Sequence, residues 1–236
     1  MKIFAIGMNY AAHNKELQRL RVGDRSSGIG TLKRPDEPVI FTKADSALLK
    51  PGKPFFVPDH LGRIDYEAEV VVRICRLGKN IPVRFAHRYY DAMTVGIDFT
   101  ARDLQRRASE AGQPWTICKG FDGSAAIGEW VEIDRGSRFE VRGTGCEMIR
   151  WRGGAGVRGC EVHFHLDKNG ETVQVGCMAD MLYSVDEIIA YISQFFTLKT
   201  GDLLYTGTPA GVGPVGIGDH LEGWLEDQKV LDLNCR

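Results

Sequence analysis

The stretch Ile64–Cys75, I-D-Y-E-A-E-V-V-V-R-I-C, constrains the fold most tightly. Ile64, Tyr66, Ala68, Val70, Val72 and Ile74 recur with a period of two, which argues for a strand with one face against a core. The other face carries Asp65, Glu67 and Glu69. Strand rise sets the Cα atoms of Glu67 and Glu69 about 7 Å apart. Two carboxylates that close raise each other's pKa unless a cation sits between them. Two readings follow: a solvated strand face, the usual place for charged residues, or two oxygen ligands of a divalent metal.

More β-structure surrounds this segment. Residues 2–7 (K-I-F-A-I-G) and 38–43 (P-V-I-F-T-K) read as short apolar strands. Residues 11–20 allow a short helix with His13 and Glu16 at i and i+3 on one face. The polar stretch 22–37 is longer than most connections and suits a lid over a site, so 11–37 is a candidate lid. Residues 84–92 predict a helix, 93–97 a strand with Asp98 at its C-terminal end, and 99–105 the start of another helix. Lys119 is the single lysine of the apolar segment 115–128. Residues 135–160 are rich in Gly and Arg without sustained period and read as an irregular insertion. Lys168-Asn169-Gly170 between alternating runs signals a hairpin. Ser184 and Glu187 match a capping box, ahead of an apolar stripe of Ile188, Ile189, Ile192, Phe195 and Phe196. Leu203-Leu204-Tyr205 leads into a glycine-rich loop over 206–214, and strands close the chain. No linker or repeat interrupts residues 1–236, which predicts one mostly β domain with short peripheral helices.

Composition excludes several functions. A net charge of -1 leaves no basic footprint for nucleic acid. No apolar run reaches the length of a membrane span, and the N-terminus turns polar too soon for a signal peptide. Six cysteines without a C-x-x-C fit reduced thiols in a cytoplasmic protein. Two G-x-G-x-x-G strings, at 154–159 and 211–216, are not followed by helical sequence, so neither reads as a dinucleotide site. His163 and His165 share a strand face with no nearby partner and read as partly exposed hairpin positions. No G-x-S-x-G is present.

Glu67, Glu69 and Asp98 together offer three hard oxygen donors. Such a set suits Mg²⁺ or Mn²⁺ rather than zinc, with Ca²⁺ a further ion it can hold in crystals. A metal with open positions polarises a chelating oxygen. His13 and Glu16 supply a base and its orienting partner. Lys119 and the loop Thr206-Gly207-Thr208 can place donors where negative charge develops.

Five stretches carry a resemblance: G-M-N-Y-A-A-H-N-K-E (7–16), D-Y-E-A-E (65–69), G-I-D-F-T-A-R-D-L-Q (96–105), K-G-F-D (119–122) and G-D-L-L-Y-T-G-T-P-A-G-V-G (201–213). In this order, across nearly the whole chain, they resemble the fumarylacetoacetate hydrolase family. The similarity is to its short single-domain branch of acylpyruvate hydrolases and oxaloacetate decarboxylases. The resemblance implies a mixed β-sandwich roll, a homodimer, one divalent metal per subunit and a small 2-oxo acid as substrate. It implies Glu67, Glu69 and Asp98 as metal ligands, and His13 and Glu16 as the water-activating pair. Lys119 matches the active-site lysine, Arg102 and Gln105 positions near the substrate, and Thr208 the threonine that touches the substrate carboxylate. Lys43-Ala44 stands where the family has lysine-proline, and the 21–36 and 135–160 segments are long for it. The implied reaction is hydrolysis of a C–C bond in a 2,4-diketo acid through a metal-chelated enolate. Oxaloacetate decarboxylation and isomerisation of a 2-hydroxy-dienoate are alternatives on the same site. A non-enzymatic binding module, with the glutamates solvated, is the alternative of another class.

Overall fold

The computed structural model describes residues 1–15, 35–133, 148–150, 156–158 and 161–236. In it the segment at 64–75 is buried on both faces, and it is two strands rather than one. β4 (Ile64–Tyr66) ends before Glu67, and β5 (Ala68–Ile74) begins after it, in a different sheet. The largest sheet runs β2 (Val39–Lys43), β1 (Ile3–Gly7), β14 (Leu203–Tyr205), β5, β6 (Tyr90–Asp98), β8 (Ala125–Ile127) and β3 (Leu48–Leu49), with β9 (Val131–Glu132) also paired to β6. It is mixed: β1 pairs with β14, and β3 with β8, in parallel, and the other pairs are antiparallel. A second sheet runs β13 (Glu171–Cys177), β12 (His163–Lys168), β16 (His220–Leu225) and β17 (Gln228–Asn234). A third joins β15 (Gly213–Val215), β4 and β7 (Thr100–Ala101). β10 (Met148–Arg150) and β11 (Gly156–Arg158) pair with each other inside the long 135–160 segment. The chain is thus mostly β, a curled mixed sheet with short helices outside it.

The run Val70-Val71-Val72 explains why β5 is central. Val70 and Val72 join the main core with Met93, Val95, Phe164, Leu221 and Ile188. Val71 faces the other way, into a smaller cluster with Ile3, Ala5, Ala125 and Tyr205. Strands covered on both faces read as continuous apolar runs, and each buried valine contributes about 1.5–3 kcal/mol.

Local signals act as the sequence predicts at two places. Asn169 and Gly170 both take positive φ, 54° and 83°, between β12 and β13, which is the backbone an Asn-Gly hairpin turn requires. The helix Val185–Phe195 opens on a complete capping box: Glu187 N–H donates to Ser184 Oγ at 3.3 Å, and Ser184 N–H to Glu187 Oε2 at 2.8 Å. Its buried stripe is Val185, Ile188, Ile189 and Ile192. Phe195 is 58% exposed and Phe196 lies beyond the helix, its ring 5.2 Å from that of Phe4, so the stripe ends earlier than the sequence suggests.

The helix expected at 84–92 is a single turn, Val83–Ala86. Tyr90 and Ala92 belong instead to β6, paired with Ile74 and Arg73, and Asp91 accepts from Arg73 Nε at 2.9 Å. Sheet pairing outweighs local helix preference there. The helix expected from residue 99 starts at Arg102, after β7, and runs to Glu110. No helix among the described residues is long and apolar enough to cross a membrane. Cys75, Cys118, Cys177 and Cys235 are free thiols. Replacing Ser184 with Ala is expected to cost about 1 kcal/mol, lowering Tm by about 2–4 °C in a chain of this size. Ser184→Asp should keep most of that stability, and thermal unfolding followed by circular dichroism separates the two.

Candidate metal centre

The break between β4 and β5 builds the site. At that break Glu67 offers its carbonyl to Asp98 N–H at 2.8 Å, so the end of β6 is tied to the interruption in the other strand. Glu67, Glu69 and Asp98 each bring a carboxylate oxygen within 4.8 Å of the others. They are 5%, 1% and 0% exposed, so the solvated-face reading does not describe them.

Buried carboxylates need counter-charge or donors, and the sequence supplies both. Lys119 Nζ lies 2.7 Å from Glu67 Oε2, Asp98 Oδ2 and Thr100 Oγ1. Lys43 Nζ lies 2.6 Å from Asp98 Oδ1 and also donates to the Lys119 carbonyl and to Ser124. Arg102 donates from Nη2 to Glu67 Oε1 at 2.7 Å, from Nε to Asp65 Oδ2 at 2.7 Å and from Nη1 to Gln105 Oε1 at 2.6 Å. Glu69 has no ion pair among the described residues; Gly207 N–H donates to its Oε2 at 2.6 Å.

The titration of these groups follows the geometry. Burial works to raise the Glu67 pKa, but Lys119 and Arg102 outweigh it and hold Glu67 ionised well below the usual carboxylate range. Glu69 goes the other way: burial, then the nearby Asp98 and Glu67 charges, push it well above its ordinary value. Burial opposes the charge on Lys119, yet Asp98 and Glu67 leave its pKa raised. In Lys43 burial prevails and the pKa is lowered despite Asp98.

One carboxylate in a convergent set of three therefore lacks a cation. An all-oxygen donor set in which one carboxylate has no ion-pair partner fits a hard divalent ion such as Mg²⁺ or Mn²⁺. His220, Glu222 and Asp232 also cluster. That group is more exposed, and Lys229 already bridges Glu222 and Asp232 at 2.8 and 3.0 Å.

Most residues singled out from the sequence meet here. His13, Arg102, Gln105, Lys119 and Thr208 line one pocket with the three carboxylates. His13 arrives by a tight exit from β1. Met8 adopts φ 62°, rare for a residue with a side chain, and its carbonyl accepts from Asn14 Nδ2 at 2.9 Å. Residues 11–15 then run helical and carry His13, 4% exposed, to the pocket. Thr206 and Gly207 lie beside the pocket with their donors spent, Thr206 Oγ1 on the Val70 carbonyl at 2.8 Å and Gly207 N–H on Glu69. Gly207 is required there: φ is 101°, and a Cβ would stand 2.7 Å from Asn9 Cβ. Glu16, most of the 11–37 segment and most of 135–160 lie outside the described residues.

Lys119 has three N–H groups, and all three are donated within the site. It fixes the carboxylates rather than offering a spare proton. Sequence reasoning assigned no site role to Lys43, Asp65 or Gln174. Lys43 ends an apolar strand, which was a usable signal. Asp65, 2% exposed and anchoring both Arg63 and Arg102, shares the alternating face of Glu67. Gln174, buried between valines, gave no signal.

Comparison with known proteins agrees with this architecture. An oxaloacetate tautomerase of Escherichia coli (strain K12) is 32% identical over 220 residues, covering 93% of this chain and 86% of that one. A mitochondrial oxaloacetate decarboxylase of Dictyostelium discoideum is 33% identical, covering 94% and 87%. The crystal structure of fumarylpyruvate hydrolase from Pseudomonas aeruginosa, in complex with Mn²⁺ and pyruvate, superposes with a TM-score of 0.80 at 30% identity, covering 100% and 89%. Residues 2–235 match the family described as fumarylacetoacetate (FAA) hydrolase C-terminal, and the chain belongs to that family.

Proposed function

We propose that this chain is a divalent-metal-dependent enzyme that moves protons at the carbon beside the carbonyl of a small 2-oxo acid, interconverting the enol and keto forms of oxaloacetate. The observation that carries this reading is the meeting of three buried carboxylates with His13 and Arg102 in one pocket. The choice of oxaloacetate is supported by the tautomerase and decarboxylase relatives. Held by Glu67, Glu69 and Asp98, Mg²⁺ or Mn²⁺ supplies Lewis acidity that makes the hydrogens next to a 2-oxo group more acidic.

The protein's own groups do the rest. His13 is the histidine of the pocket and carries the proton to and from carbon. Arg102 has five N–H donors and spends three on Asp65, Glu67 and Gln105. Two remain for a substrate carboxylate. Gln105 accepts from the guanidinium, and Thr208 adds a hydroxyl to the pocket wall. Lys119 and Lys43 keep Asp98 and Glu67 in place.

A second reading, hydrolysis of a 2,4-diketo acid, is favoured by the likeness to the fumarylpyruvate hydrolase. There His13 takes a proton from water, the oxygen adds to the distal carbonyl, the C–C bond breaks, and a proton returns to the carbon left behind. The two reactions share proton transfer at His13. Decarboxylation of oxaloacetate does not need it in the bond-breaking step.

Two measurements test this. Mn²⁺ or Mg²⁺ should raise Tm in a concentration-dependent way, by about 2.7 kcal/mol of stability at a hundredfold excess over Kd, and Glu69→Gln should abolish the rise. The pH dependence has a definite sign. The folded pKa of Glu69 is above its unfolded value, so its stabilisation of the metal-free protein is full below the unfolded pKa. It is lost as pH rises through the raised value. Metal binding displaces that proton, so affinity should climb with pH over the same window; an unchanged Kd across it argues against Glu69 as a ligand.

The second measurement follows enol loss and CO₂ release from oxaloacetate, and cleavage of an acylpyruvate, with Mn²⁺ present. His13→Ala should lower tautomerisation and hydrolysis by about 10²-fold or more while sparing metal affinity and decarboxylation. A variant that still tautomerises at the wild-type rate removes His13 from the mechanism. Wild-type protein inert to every substrate in the presence of bound metal removes the enzymatic reading.

A further inference from the structure

Gln174 is a buried polar side chain to which the preceding mechanism gives no part. It lies on β13, an edge strand of the four-stranded sheet, and is 2% exposed, whereas the neighbouring Val175 is 68% exposed. Polar alternation would have placed them the other way round. A primary amide is stable in such a place only when its hydrogen bonds are made. Gln174 Oε1 accepts from Ala68 N–H at 2.9 Å, and Nε2 donates to Thr208 Oγ1 at 2.9 Å and to the Pro209 carbonyl at 3.1 Å.

These partners dictate which way the amide faces. Ala68 N–H, the first donor after the strand break, needs an oxygen, and a flipped amide would set N–H against N–H. Nε2 must then face Thr208, whose oxygen is thereby an acceptor. The Thr208 proton has as its other acceptor among the described residues the Pro209 carbonyl, at 3.5 Å, a weak contact that Nε2 already shares. The hydroxyl is left to donate into the pocket it lines with Glu67, Glu69 and Asp98. The glycine-rich loop is also pressed onto β13 by its backbone. A Cβ on Gly211 would stand 2.5 Å from the Val173 carbonyl, and one on Gly176 would stand 3.0 Å from Pro209 Cγ.

We propose that Gln174 is a positioning residue. Its one amide fixes the chain break that presents Glu67 and Glu69, and commits the Thr208 hydroxyl to donate toward an anionic oxygen of the substrate. The second half rests on the reading that the pocket takes a 2-oxo acid; the first half does not.

The test separates them. Amide hydrogen exchange, measured without substrate, should be about tenfold faster or more at Ala68 in Gln174→Leu than in wild type, as for a lost hydrogen bond. Pyruvate binding to the Mn²⁺-loaded protein, read by calorimetry, should weaken about tenfold in Gln174→Leu and in Thr208→Val. The double variant should be no weaker than either single one, because the two act through one hydrogen bond. Mn²⁺ affinity should be unchanged in Thr208→Val, which a general loosening of the site would not allow. Should Gln174→Leu not fold, Gln174→Met replaces it, an unbranched side chain of similar length that neither accepts from Ala68 nor donates to Thr208. Unchanged exchange at Ala68, or losses of pyruvate affinity that multiply in the double variant, overturns the proposal. Wild-type protein that binds Mn²⁺ but not pyruvate fails the 2-oxo acid reading, and the exchange result then decides the placement of Gln174 alone.

Discussion

Asp98 against two buried ammonium groups is the interaction on which the rest of the structure depends. Lys43 takes one carboxylate oxygen at 2.6 Å and Lys119 the other at 2.7 Å, and all three side chains are at most 3% exposed. Removing the Asp98 carboxylate would leave the buried Lys43 ammonium without its counter-charge, a change that usually costs about 3–5 kcal/mol. The two lysines reach Asp98 from different elements, the end of β2 and the short helix Thr116–Gly120. Lys43 also holds the backbone carbonyl of Lys119 itself. The ion pairs therefore lock the β2 edge, the helix and the end of β6 into one frame, and Glu67 joins it through its carbonyl bond to Asp98 N–H.

That frame leaves Glu69 as the group without a partner charge. Burial and two neighbouring carboxylates disfavour its ionised form. The free protein thus holds a destabilised carboxyl at the point where three oxygens converge. A divalent cation bound there would relieve that cost, so the feature that weakens the fold on its own is the one that would favour metal. Strain at functional positions is commonly sustained by a surrounding structure that over-determines it, and here the lysine pairs supply that surrounding structure.

The sequence showed the donors more clearly than their setting. Glu67 and Glu69 were legible because strand periodicity puts them on one face, and Asp98 because it ends an apolar strand. The triple valine at 70–72 was a visible sign that both faces of β5 are covered, and so that the glutamates are buried. The break at Glu67 was not legible, since it depends on β4 and β5 pairing with different strands. Lys43, at the end of an apolar strand, was hard to weigh because a lone lysine is usually solvated; its reach to Asp98 gives it its role. Gln174 was hidden by its neighbours, whose valines mimic an inward face. The helix expected at 84–92 failed for the same kind of reason, because Tyr90 and Ala92 are claimed by cross-strand partners far away in sequence.

The division of labour inside the pocket also bears on which reaction the chain performs. Glu67, Asp98, Lys43 and Lys119 are held to one another by ion pairs, and Thr206 and Gly207 are committed to the backbone and to Glu69. They can hold a metal, but they cannot distinguish one 2-oxo acid from another. The pocket groups outside that frame are Arg102, with two N–H groups not donated to Asp65, Glu67 or Gln105, together with Thr208 and His13. Tautomerisation, decarboxylation and C–C hydrolysis of 2-oxo acids all draw on the same polarised carbonyl. They differ in whether a proton carrier, and then a water, stands against the substrate's far end. Under the proposed mechanism that choice would lie on the His13 side of the pocket rather than with the carboxylates, and relatives of three different activities stand at 30–33% identity over nearly the whole chain.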